Sequence, residues 1–134
     1  MKAVFDTRFF ISSIESKDDN FRKWARQTLE ALERKGNTGI IPSIVILEFY
    51  SIQMKDSGKQ TADARTSTIL KLSLTTVKLD AKIAIEAAKL RCIYRELSTG
   101  DAIIAATAIE TASDCVLTDD KHLKQIKEIK TKWF

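Results

Sequence analysis

The stretch Asp101-Ala-Ile-Ile-Ala-Ala-Thr-Ala-Ile109 limits what this chain can fold into more than any other, because it is apolar on nearly every face and led by one acid. A helix of that kind offers solvent no polar side and must be packed all round. Asp101 therefore lies where a buried element meets water. Three other acids hold the same kind of position. Asp6 ends the apolar run Ala3-Val4-Phe5, Glu48 interrupts Ile44-Val45-Ile46-Leu47 and Phe49-Tyr50, and Asp120 follows Val116-Leu117-Thr118.

Around these runs the chain alternates short strand-like and longer helical segments. Ala3-Val4-Phe5, Gly39-Ile40-Ile41, Thr75 to Leu79 and Cys115-Val116-Leu117 have strand composition, and Ile129 to Phe134 adds a fifth at the edge. Between them the helical spacing of Phe21, Trp24, Ala25, Thr28, Leu29 and Leu32, and of Ile83, Ala87, Leu90 and Tyr94, marks buried stripes. Pro42 suits the first turn of a helix running toward Gly58, and Asp18 and Asp80 suit N-caps. Gln60 to Leu74 is helical in composition, and Lys121 to Ile126 forms a short helix after a turn. Parallel strands need crossover helices, so this alternation predicts an α/β layer structure with a mostly parallel sheet. With 134 residues, 44% hydrophobic content, one Pro and four Gly, residues 1–134 are expected to form a single domain without flexible linkers.

Met1-Lys2 leads into an apolar run cut short by Asp6 and Arg8, which leaves no secretory hydrophobic region, and no charge-free run approaches the ~20 residues of a membrane span. A cytoplasmic protein is expected. Cys92 and Cys115 lack metal-site or redox spacing and lie in apolar stretches, so both read as buried, reduced thiols. Net charge of +4 and a pI of 9.1 suit a polyanionic partner. If four acids share one cleft, the remaining surface is more basic still, an arrangement that suits a metal-dependent enzyme acting on nucleic acid.

Each acid has a structural alternative. Asp6 with Thr7, and Asp101, can cap helices, while Glu48 can be an exposed or ion-paired helix residue. Their positions speak for a shared site. Asp6 and Asp120 fall just past the carboxyl ends of strands, where open α/β sheets place their ligand crevices, and Asp101 stands at the mouth of an adjoining helix. Clustered carboxylates repel one another unless cations enter. Mg²⁺ or Mn²⁺ prefers oxygen ligands and commonly bridges carboxylates to substrate phosphate, so phosphodiester hydrolysis is the chemistry that fits. His122, the single histidine, has no Ser/His/Asp arrangement around it.

Four motifs resemble those of the PIN-domain ribonucleases, and within them the stand-alone VapC-type toxins. They are Val4-Phe5-Asp6-Thr7, Ile41 through Tyr50 around Glu48, Gly100 through Ala108 beginning at Asp101, and Leu117-Thr118-Asp119-Asp120-Lys121-His122-Leu123. The resemblance spans nearly the whole chain. It implies a Rossmann-like, three-layer α/β/α fold and a divalent-metal endoribonuclease acting on RNA, with Asp6, Glu48, Asp101 and Asp120 as the catalytic acids. It implies Asp6, Asp101 and Asp120 as metal ligands for Mg²⁺ or Mn²⁺, Thr118 as a supporting hydroxyl, and Thr7 and Asp119 nearby. The family pattern of Thr, any residue, then Asp selects Asp120, with Thr118 placed to orient its carboxylate and Asp119 turned elsewhere. Leu123 stands where the family often has Phe. A small antitoxin protein and a homodimer are further implications. Two alternatives are a catalytically silent RNA-binding or assembly module and a Mg²⁺-dependent phosphoacceptor signalling domain. The second expects an acid pair after the first strand, where this chain has Asp6 alone.

Overall fold

The computed structural model describes residues 1–134. Five strands form one sheet: β1 (Lys2–Phe5), β2 (Thr38–Pro42), β3 (Leu74–Val77), β4 (Cys115–Leu117) and β5 (Thr131–Lys132), ordered β3-β2-β1-β4-β5. Every pairing is parallel, so the sheet is wholly rather than mostly parallel. Helices α1 (Thr7–Glu15), α2 (Asp19–Glu30), α3 (Ser43–Ser57), α4 (Lys59–Leu70), α5 (Ala81–Ile93), α6 (Thr99–Glu110) and α7 (Lys121–Lys124) flank it, giving the three-layer α/β/α fold.

The apolar stretch after Asp101 becomes α6, whose residues Ala102 to Ala108 are buried without a break. All of them but Thr107 join Val4, Phe5, Val45, Phe49, Val116 and Leu117 in one core cluster. Strand order decides where a crevice opens. From β1 the chain moves outward to β2 and β3, then returns to lay β4 and β5 on β1's other side. The switch point therefore falls between β1 and β4, and such points hold ligand sites at the strands' carboxyl ends.

Local signals held with small shifts. Asp18 caps α2 through the amides of Asn20 and Phe21, and Asp80 caps α5 through that of Ile83. The fifth strand contracts to Thr131–Lys132, and the third starts at Leu74 and stops at Val77. α7 ends at Lys124, two residues earlier than expected. Gly58, with φ of 85°, breaks what would otherwise be one long helix into α3 and α4, a conformation glycine adopts without a side-chain penalty. Cys115 is buried as expected, but Cys92 is exposed, because it lies off the Ile83, Ala87 and Leu90 stripe of α5. No helix is long and apolar enough to cross a membrane.

Candidate active site

β1 and β4 stay paired to their last residues, and the Asp6 amide still donates to the Leu117 carbonyl at 3.3 Å. That register brings Asp6 beside Thr118. Asp6 is only 3% exposed, and its Oδ2 accepts from Thr118 Oγ1 at 2.6 Å. Although Asp6 occupies the N-cap position of α1, its side chain makes no cap bond. Thr118 Oγ1 also accepts from the Asp120 amide at 3.0 Å. One fully buried hydroxyl thus ties the acid after β1 to the loop after β4. This corrects the expected role of Thr118, which orients the carboxylate of Asp6 and only the backbone of Asp120.

Asp120 combines two duties. Its Oδ1 caps α7, accepting from the amides of His122 at 2.8 Å and Leu123 at 3.4 Å, which fixes the carboxylate's direction. At α6 the cap is Ser98, whose hydroxyl accepts from the Asp101 amide at 3.1 Å, so the helix begins two residues before the expected N-cap at Asp101. Relieved of capping, Asp101 stands half-buried in the first turn.

Glu48 enters from the side. It lies in the first half of α3, where Thr7 Oγ1 donates to its Oε1 at 2.9 Å. Its other oxygen rests against Gly100, where an added Cβ would come within 2.8 Å of Oε2. Gly100 therefore permits the close approach of α6 to the Glu48 carboxylate.

The four acids line a single cavity of about 370 Å³ together with Thr7, Arg8, Ser12 and Glu15. Burial, with Asp101 and Glu48 nearby, pushes the Asp6 carboxyl up from 3.8 to about 6 against the lowering hydrogen bond from Thr118. Burial also raises Glu48, opposed by Thr7 and reinforced by Asp101. Asp101 is raised by burial and then by Asp120. Charges forced together in this way are a mark of functional sites.

Asp119 behaves differently from its neighbour. Arg8 Nε donates to its Oδ1, and Arg8 Nη2 donates to Oδ2 at 3.2 Å, which holds the Asp119 carboxyl below its usual range. It does not line the acid cavity. Arg8, Ser12 and Glu15 were not singled out in the sequence, although their i, i+4, i+7 spacing behind Asp6 places them on one face of α1. The closeness of Gly100 to Glu48 had no sequence signal, since it depends on how α3 and α6 pack.

The groups in the cavity able to ligate a metal are all oxygens, since the guanidinium of Arg8 cannot coordinate one, and oxygen ligands suit a hard divalent cation such as Mg²⁺ or Mn²⁺. No three Asp, Glu, His or Cys side chains converge into a ready-made ligand shell. Mg²⁺ does not need one, because it keeps several waters and uses one or two carboxylates. The donor chemistry and the mutual repulsion of the acids therefore fit such an ion.

The family model described as "PIN domain" matches residues 3–129. Comparison with curated proteins gives no match. Among solved structures, VapBC2 from Rickettsia felis, bound to a DNA fragment from its promoter, aligns with a TM-score of 0.82 at 23% identity, covering 100% of this chain and 99% of that one. VapC20 from Mycobacterium tuberculosis, described as a sarcin-ricin loop cleaving toxin, aligns at 0.74 with 16% identity over 93% of this chain and 95% of its own. A toxin-antitoxin complex from Klebsiella pneumoniae aligns at 0.66 with 26% identity, covering 95% and 94%.

Proposed function

The chain belongs to the PIN domain family, and on that premise we propose that it is a divalent-metal-dependent endoribonuclease, the toxin of a toxin–antitoxin pair. The observation that carries this reading is the meeting of Asp6, Glu48, Asp101 and Asp120 in one cavity at the switch point between β1 and β4. Asp6, Asp101 and Asp120 would hold Mg²⁺ or Mn²⁺. When bound, the ion would supply Lewis-acid stabilisation to the phosphate and ease deprotonation of the attacking water.

The chain's own residues do the rest. Thr118 fixes the Asp6 carboxylate, and the amides of His122 and Leu123 fix that of Asp120. Both carboxylates are thereby held without rearrangement during the reaction. Glu48, steadied by Thr7, is the acid placed to orient the attacking water and accept its proton. Water adds to phosphorus and the bond to the departing ribose oxygen breaks, giving two RNA fragments. No histidine is used.

The Rickettsia felis and Klebsiella pneumoniae relatives were solved as toxin–antitoxin complexes, which supports a small antitoxin partner here. We also propose a homodimer, on the resemblance to the VapC-type toxins, and a cytoplasmic setting, on the sequence. Native mass spectrometry across micromolar concentrations should show the dimer. For the activity, a mixed RNA pool should be cleaved with Mg²⁺ or Mn²⁺ and left intact with EDTA; cleavage undiminished by EDTA would falsify metal dependence.

A further inference from the structure

The acid cavity contains one cation, Arg8. Its guanidinium is gripped from one side: Nε and Nη2 both donate to Asp119, while no hydrogen bond engages Nη1. Asp119 lies outside the acid cavity and lines the neighbouring one, so the pair sits on the boundary between the two. Ser12 and Glu15 line both cavities, which makes them neighbours across one face of α1. The Arg8 side chain is 51% exposed. A two-point hold by one carboxylate fixes the guanidinium plane and leaves its remaining N–H groups directed away from that partner.

A strand of RNA brought to the four acids carries further phosphates on each side of the one being cut. A site lined by carboxylates repels them, and the divalent ion proposed above would offset charge only where the acids hold it. We propose that Arg8 forms a separate phosphate-binding subsite at the cavity rim, where Nη1 donates to a non-bridging oxygen of an RNA phosphodiester flanking the scissile one. Asp119 is the positioning residue that aims it. The subsite rests on the endoribonuclease reading for its ligand, a phosphodiester of single-stranded RNA. Its rim position assigns it to holding the substrate rather than to the bond being broken, so it acts on KM and on the salt dependence of binding.

The test uses the full chain and a fluorescently labelled single-stranded RNA oligonucleotide. Steady-state cleavage with Mg²⁺ is measured for the wild type, Arg8→Ala, Arg8→Lys and Asp119→Asn. Binding is followed by anisotropy against NaCl concentration in the Asp101→Asn background. Arg8→Ala should raise KM about tenfold and change kcat less than about threefold, as expected when a ground-state contact is lost. It should also reduce the slope of log K against log salt by about 0.7, the value for one phosphate contact on a single strand. Arg8→Lys should keep the salt slope but recover only part of KM, because a lysine cannot be gripped by Asp119 in a fixed plane. Asp119→Asn should fall between Arg8→Lys and the wild type. Lys82→Ala removes an equal charge from the Lys82–Glu110 pair and should change none of these quantities.

An unchanged salt slope and KM in Arg8→Ala overturns the subsite, as does a loss in kcat with KM constant. If Arg8→Ala does not fold, Arg8→Lys and Asp119→Asn decide on the same readouts. Absence of cleavage by the wild type counts against the endoribonuclease reading alone, since the anisotropy slope still reports on Arg8.

Discussion

Two cavities border the central strand β1, and they are built on opposite terms. One, of about 240 Å³, lies between β1 and α2 and is walled mainly by apolar side chains such as Ala3, Phe5, Trp24 and Leu32. The other, at the carboxyl ends of β1 and β4, is walled by the four acids. The first follows ordinary packing, where burial of apolar surface is favourable. In the second, burial raises Asp6, Glu48 and Asp101 together, so the fold carries an electrostatic penalty there at neutral pH. A penalty concentrated at the carboxyl ends of β1 and β4, beside a cavity that has none, is what a site that gives up stability for the proposed chemistry would show.

The contrast can be broken most sharply at the paired acids after β4. Asp120→Asn should lower Mg²⁺-dependent cleavage by more than ~10²-fold, beyond the ~10–100-fold typical of groups that only support metal ligands. Asp119→Asn, whose carboxylate faces Arg8 instead of the acid cavity, should lose much less. Equal losses in RNA cleavage assays would overturn the separation of the two.

Stability against pH gives the next largest effect. Asp6 is raised from 3.8 to about 6, so the folded state binds its proton more tightly than the unfolded state. Its contribution favours folding fully below about pH 4 and is lost as pH rises through about 6, a change of roughly 2–3 kcal/mol in metal-free protein. Urea melts between pH 4 and 7 should show this trend, and Asp6→Asn, which retains an acceptor for Thr118, should flatten it.

Gly100→Ala should act more gently. The added methyl displaces the Glu48 carboxylate, so cleavage should fall by about tenfold, while stability stays equal or rises because alanine is the better helix former by ~1 kcal/mol. A variant with unchanged kcat would remove Glu48 from the reaction. In the apolar cavity, Leu32→Ala should lower stability by about 2 kcal/mol and leave cleavage per folded molecule unaltered.

The alternation of strand-like and helical segments made the layer architecture readable, because strand composition, turn residues and caps such as Asp18 and Asp80 act over a few positions. The burial of α6 was readable for the same reason. The acids were legible as positions but not as a network. That Thr118 serves Asp6 depends on the register between β1 and β4, which brings together residues far apart in the chain. The grip of Asp119 on Arg8 depends on it too. The exposure of Cys92 shows the converse limit: an apolar sequence neighbourhood does not say which face of a helix a residue occupies.

Thermal unfolding at pH 7 with and without Mg²⁺ or Mn²⁺, for the wild type and Asp6→Asn, tests most directly whether the strained acids await a cation. An ion bound only by the folded state stabilises by about 2.7 kcal/mol at a hundred times its Kd. The expected result is that the ion raises the wild-type Tm by several degrees, while Asp6→Asn starts higher without metal and gains little. Equal shifts in both proteins, or no shift in the wild type, would contradict a divalent-cation site built on Asp6.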